Sequence, residues 1–392
     1  MIPRHNGLLQ LIIRSFCREK SMGKKQASRS RVFYWDHSTT RYHTFEAKLR
    51  ALLKETRIGS HLQSGDLTAV KIHFGERGAT SFISATWLKP ILDFLRKCGA
   101  RPFLTDTNTL YAGSRGNGVS HALLAREHGF DPAVLQAPVV IADGIRGTNQ
   151  TQVSFQGEHF QVCHLAGDVT AADALLNCSH FTGHHLCGFA GALKNLAMGC
   201  ASPRGKMQQH STTGPVVQSE KCIGCGACRE ICPAGALIRE ENLTVAVNRD
   251  RCTGCALCLL SCPANALSPN WDTLGRDFQE KMGEYAAAVL SVFKSPVLHL
   301  NFLLGVTPGC DCEGRSDPPI CPDLGILASY DPVALDQASL DLVNSSAESH
   351  PDSSEKEKAL FPGTPPGTQG DHLLRYAEKL GIGSRDHTVV YL

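Results

Sequence analysis

Two cysteine ladders contain the chain's densest run of chemically capable side chains. They read Cys222-x2-Cys225-x2-Cys228-x3-Cys232-Pro233 and Cys252-x2-Cys255-x2-Cys258-x3-Cys262-Pro263. Thiolates at this spacing suit iron–sulfur chemistry, because C-x2-C-x2-C-x3-C-P is how bacterial-type ferredoxins hold a pair of [4Fe–4S] clusters. Cysteines three residues apart change faces on a strand and drift by about 60° a step on a helix. A chain turning a corner presents them better to three irons of one cube. Gly224, Gly226 and Gly254 fit such a corner, since glycine takes positive φ without steric cost. The fourth cysteine lies too far along to close the same cube, and in two-cluster ferredoxins it ligates the other one. The expected cofactors are therefore two [4Fe–4S] clusters. Cys222, Cys225, Cys228 and Cys262 would hold one, and Cys252, Cys255, Cys258 and Cys232 the other.

Zinc would leave the third close cysteine of each ladder without a task. Disulfides are disfavoured by the odd total of 17 cysteines and by the lack of a recognisable secretory signal. Thiols in such number imply a reducing interior, so a cytoplasmic location is expected.

At 392 residues the chain exceeds one ordinary core, and 42% hydrophobic residues suffice for a sizeable one. Charged residues make up 19% with a net charge of +2, which leaves no electrostatic footprint for nucleic acid. No apolar run approaches the length of about 20 residues that spans a bilayer. The expected partner is a redox protein or a small-molecule substrate. Residues 1–31 read as a tail, whose first part, Met1–Ser21, is basic at Arg4, His5, Arg14, Arg18 and Lys20 and precedes an alternative start at Met22.

The elements that must position the chemistry alternate between strand and helix, which argues for an α/β host with a mostly parallel sheet. Strands are expected over Leu67–Phe74, Arg101–Thr105, Val139–Ala142 and Ala174–Phe181, then Val297–Val306 and Gly325–Ser329. Thr388–Leu392 reads as an edge strand, and Val153–His164 as a hairpin. Helices are expected over Ser84–Cys98, Val119–His128, Gly188–Met198, Asp277–Phe293, Pro332–Val343 and His372–Leu380. Residues 344–370 read as a mobile loop. Residues 221–237 and 251–267 are identical at nine of seventeen positions, an internal duplication. The ferredoxin-like α+β module, 218–270, thus interrupts a host made of residues 32–217 and 271–392.

Each expected strand ends in polar residues. These are Lys71, His73 and Glu76; Thr105 to Asn108; Asp143, Gly144 and Arg146; His180, His184, His185 and Cys187; and Cys310, Asp311 and Cys312. Ligands of open α/β sheets bind beyond the carboxyl ends of the strands. His73, Asp143, His184 and Lys194 are accordingly the candidate catalytic residues. The glycines of Gly188–Asn195 could open a helix whose free N–H groups attract an anion, or could merely permit close packing. His180, His184, His185, Cys187, Cys200, His210, Cys310, Cys312 and Cys321 are further soft or borderline ligands outside the ladders. No GxGxxG follows a strand, so nothing announces NAD or flavin.

Taken together, several segments resemble one family. They are Val70–Glu76, Pro102–Tyr111, Ala142–Gly144, His180–His184, Gly191–Asn195, the two ladders, Val306–Cys312 and Asp331–Gln337. The chain is similar, from about Val32 onward, to the uncharacterised Fe–S centre proteins of bacteria and archaea, whose host domain is the domain of unknown function 362. Ala190 and Ala197 stand where that family is expected to carry glycine. The resemblance implies an α/β host with a two-cluster insert and supplies no reaction. The functional expectation is an iron–sulfur protein passing electrons to a small-anion or substrate crevice in the host, as an oxidoreductase would. The alternative is a non-enzymatic electron carrier or metal-handling protein.

Overall fold

The computed structural model describes residues 29–347 and 370–392, apart from 39, 40, 42, 43, 112, 212, 213, 242, 243, 272 and 274. The host is built on one eight-stranded sheet. Its strands are β1 (Ser30–Asp36), β2 (Leu67–Lys71), β3 (Arg101–Asp106), β4 (Val139–Ile141), β5 (Ala174–His180), β6 (Leu298–Leu303), β7 (Gly325–Ser329) and β8 (His387–Tyr391). The spatial order is β8-β1-β7-β6-β5-β2-β3-β4. Only β7 runs against its neighbours; β6, β5, β2, β3 and β4 are parallel. Their carboxyl ends therefore share a rim, and β8 forms an edge beside β1.

Alternation along the strands divides the interior into two cores. Ala69 and Leu175 face one, and Val70 and Leu176 face the other. Helices Phe45–Thr56 and Ala85–Lys97 cover one face, and Ala192–Ala197, Gly275–Val292, Pro332–Ala347 and Asp371–Lys379 cover the other. Side-chain caps set several helix starts. Thr44 accepts from Ala47 N–H, Ser84 from Thr86 N–H, and Asn117 from Val119 and Ser120 N–H.

Several boundaries move. Strand β2 stops at Lys71, and Ser30 and Arg31 belong to β1 rather than to a tail. Residues 344–347 continue a helix; the rest of the expected loop, 348–369, and residues 1–28 lie outside the described residues. The glycine-led helix expected over Gly188–Met198 is a larger change. Gly188–Ala190 pairs with Thr182–His184 as a hairpin, and the helix is only Ala192–Ala197. Its first amides are already taken, because Asp336 accepts from Ala192 N at 2.7 Å and Leu193 N at 2.9 Å. A Cβ on Gly191 would run into that carboxylate, so the glycine serves close packing and the anion-binding reading of this helix start is withdrawn.

Asp336 also accepts from Asn301 Nδ2 on β6 at 2.7 Å. Asp336→Ala would strand two buried amides and leave Asn301 Nδ2 with Ser339 Oγ alone. At about 1–3 kcal/mol per unsatisfied group, the expected loss is about 3 kcal/mol or more. Urea denaturation measures it, and a midpoint equal to that of the parent would contradict this account.

The cysteine module lies in the connection between the neighbouring strands β5 and β6. Its two halves repeat each other's backbone. Strand pairs Pro215–Val217 with Leu267–Pro269, and Leu237–Arg239 with Val245–Val247, flank helices Ala227–Glu230 and Leu257–Ser261. Positive φ recurs at equivalent places: Gly224 (67°) and Gly254 (63°), Gly226 (82°) and Ala256 (62°), Gly235 (55°) and Asn265 (49°). The corner is therefore kept where one half lacks glycine, asparagine being a tolerated alternative in the left-handed region and alanine a strained one. Among the described residues no helix is long and apolar enough to cross a membrane.

Candidate functional site

The shared rim opens into a cavity of about 470 Å³ reached by β2, β3, β5 and the loop after β6. Its floor is an ion network. Lys71, fully buried at the end of β2, bonds Asp106 Oδ1 at 2.9 Å, Asn195 Oδ1 at 2.7 Å and its neighbour's carbonyl, Ile72 O, at 3.0 Å. Arg115 reaches Asp106 Oδ2 at 3.4 Å and Glu76 Oε2 at 3.2 Å, and also donates to Tyr111 OH. Burial alone would raise the Asp106 carboxyl. Lys71 and His121 outweigh it and hold the group well below its usual range.

One wall is the His180–Asp311 pair. His180 donates Nδ1–H to Asp311 at 2.8 Å and Nε2–H to Leu304 O at 2.9 Å. Both partners are acceptors, so the ring is doubly protonated. Burial pulls its pKa down, but Asp311 prevails and holds it above the ordinary value. His180 thus braces the loop after β6 and is not free to exchange protons.

Facing it are His184, Cys310 and Cys312, one donor atom of each lying within 4.8 Å of the others. Lys194 Nζ donates to Cys310 Sγ at 2.8 Å. The Cys312 hydrogen bond and the Lys194 ammonium, working against burial, bring the Cys310 thiol down to about 6. The same bond from Cys310, together with burial, holds Cys312 well above its usual range. Against the pull of burial, the Cys310 and Cys312 sulfurs hold Lys194 above its usual range. Burial and Lys194 keep His184 neutral, and burial and Arg115 do the same for His73.

His73, His184 and Lys194 all line the cavity. Asp143 does not. It is fully buried behind the wall, where it accepts from Asn108 N and Nδ2 and fixes the turn after β3. Arg146 lines a separate cavity, and Glu76 supports Arg115 from behind. Of the other soft ligands, Cys187 donates to Phe189 O, Cys321 sits in the core, and His210 lines the cavity. Cys200 is core too, and exposed His185 pairs with Glu313 at 2.8 Å.

Sequence reading missed Arg115, Tyr111 and Lys206. Lys206, from the helix Pro203–His210, donates to Thr107 Oγ1 and Asn108 O, both at 2.5 Å. Burial lowers its pKa to about 8. No spacing or motif flags a lysine there.

The module stands on this rim. Thr109, Leu110 and Tyr111 line the crevice and also a second cavity that reaches Leu259, Leu260 and Cys262. Leu110 and Met207 of the host join the module's small core. Within the module, Cys222, Cys225, Cys228 and Cys262 line one cavity, and Cys232, Cys252, Cys255 and Cys258 another. The fourth cysteine of each ladder receives an amide, Ala236 N–H to Cys232 Sγ at 3.3 Å and Ala266 N–H to Cys262 Sγ at 3.2 Å.

The rim segments and the module fall inside one family match, which covers residues 68–341 and is described as Domain of unknown function (DUF362). The chain belongs to the DUF362 family. No curated protein matches it by sequence. Among solved structures it is similar to the lactate racemase apoprotein from Thermoanaerobacterium thermosaccharolyticum, at 12% identity and a TM-score of 0.41. That match covers 81% of this chain and 57% of the racemase chain, and it is too distant to bear on this DUF362 protein's chemistry.

Proposed function

We propose that this DUF362 protein is an electron-transfer protein with two [4Fe–4S] clusters in the inserted module and a small-anion or substrate crevice in the host. The observation that carries the reading is the crosswise sorting of the ladders. Each cavity draws three cysteines from one ladder and the fourth from the other. That donor set suits a four-iron cube, and the left-handed turns beside the cysteines let backbone approach its sulfides. The clusters would supply one-electron transfer.

The host's residues supply what clusters lack. Among the described residues Lys194 bonds a sulfur, and Lys206 a hydroxyl and a carbonyl. Neither charge is spent on a carboxylate at that contact, which favours an anionic guest. His73 and His184 are neutral at the wall and can hydrogen-bond such a guest. A dissociable substrate at this rim separates an oxidoreductase from a simple carrier, and a host of this size around a crevice favours the former.

Chemical analysis of anaerobically reconstituted protein is expected to give about eight irons and eight acid-labile sulfides per chain. Zinc without sulfide would overturn the reading. For the crevice, Lys194→Ala is expected to retain that iron and sulfide. Oxidation of the reduced protein by small molecules recovered from anaerobically purified protein should nevertheless slow by about two orders of magnitude. Equal rates in parent and variant would favour the carrier.

A further inference from the structure

We propose that His184, Cys310 and Cys312 form a mononuclear site for a borderline-soft divalent cation such as zinc, with an open position turned into the crevice for a small anion. The site is separate from the two ladders and does not depend on their filling.

The donor set comes first. One imidazole and two thiolates are ligands that zinc and its neighbours prefer, and a Cys2His set with a free fourth position is a recognised catalytic arrangement. The three donor atoms already lie within 4.8 Å of one another. Metal–ligand bonds of about 2.0–2.3 Å in a tetrahedron place ligands roughly 3.5–3.8 Å apart, so only a small closure is needed. Of the nine soft side chains outside the ladders singled out in the sequence, these three converge.

The second argument is preorganisation. Cys310 and Cys312 ride on the loop after β6, and His184 on the hairpin after β5. Gly183 N–H donates to Thr307 O at 2.8 Å, tying the hairpin directly to the loop. Asp311, between the two cysteines, is held by His180, and its carbonyl accepts Glu76 N–H at 3.1 Å. Tyr111 OH donates to Cys312 O at 3.1 Å, and Cys312 N–H points to Cys310 Sγ at 3.4 Å. Supporting bonds of this kind are what orient metal ligands.

Charge then suggests the fourth ligand. Two thiolates cancel a dication, and Lys194 on Cys310 leaves one positive charge beside the open position. A carboxylate or hydroxide-like oxygen completes the balance. Cys187, whose Sγ is 3.2 Å from His184 Nδ1, stands against the imidazole ring as a supporting group.

The test adds zinc to the full chain after anaerobic cluster reconstitution, with iron and sulfide counted in the same sample. One equivalent of zinc is expected to bind. Zinc-edge X-ray absorption should show two sulfurs at about 2.3 Å and one nitrogen at about 2.0–2.1 Å. Cys310→Ala, Cys312→Ala and His184→Ala should each weaken zinc binding about 100-fold with iron and sulfide unchanged, which also shows that the variants fold. Zinc with sulfur neighbours alone, or zinc retained in Cys312→Ala, would overturn the proposal. So would recovery of Cys310 and Cys312 as an internal disulfide in protein kept anaerobic throughout. A sample low in iron counts against the cluster reading only, because the mixed nitrogen–sulfur shell is read at the zinc edge.

Discussion

Asp106→Ala is expected to cost about 3–5 kcal/mol, a large part of the stability of an ordinary domain. Among the described residues Asp106 is the only carboxylate that Lys71 touches, at 2.9 Å, and it is shared with Arg115 at 3.4 Å and with His121 at 3.6 Å. Lys71, Arg115, His121 and Asp106 are all buried. Removal of the shared anion leaves a fully enclosed ammonium with only neutral oxygens, Ile72 O and Asn195 Oδ1, as partners. A guanidinium is then left leaning on Glu76 alone among the carboxylates of the described residues. Breaking a buried pair costs more than the pair itself contributes, because the stranded charge must be kept out of water. The pH sign follows from the depressed folded pKa. The contribution is present above the unfolded carboxyl value of about 3.9 and is lost as pH falls toward the folded value. Urea midpoints of parent and variant at neutral pH measure the loss. A difference below about 1 kcal/mol would contradict the ion-network account.

The framework of the host was legible in the sequence because it rests on local signals. Apolar, β-rich runs ended in polar residues, and every strand of the sheet was expected except β1, whose residues start inside the supposed tail. What was not legible depends on distant partners. Gly188–Lys194 looks like a glycine-led helix in isolation. The residue that claims its first amides is Asp336, more than 140 positions away. Asp143 ends its strand as a rim residue should, yet Asn108 turns the chain in front of it and takes its carboxylate out of the crevice. The soft ligands could be named by type, but only the pairing of β5 with β6 brings His184 to Cys310 and Cys312. Lys206 and Arg115 lie on stretches with no motif, and their burial is a consequence of tertiary packing alone.

Loss of Cys262 is expected to mimic loss of Cys222, not loss of Cys252. Cys262 belongs to the second ladder by sequence, yet it lines the cavity of Cys222, Cys225 and Cys228. Cys232 makes the reverse exchange and joins Cys252, Cys255 and Cys258. The two halves repeat the exchange with the same left-handed turns at Gly235 and Asn265, three residues after the fourth cysteine. The amide that follows each turn points at that cysteine's sulfur, so each fourth thiolate is held in place by its own half. Under crossed ligation, Cys262→Ala and Cys222→Ala should each cost about four of the eight irons and abolish the same one of two reduced-cluster EPR signals. Cys232→Ala should abolish the other signal, as Cys252→Ala does. If the Cys262→Ala spectrum instead pairs with that of Cys252→Ala, each ladder closes its own cube. The exchange seen in the cavities would then have no chemical counterpart.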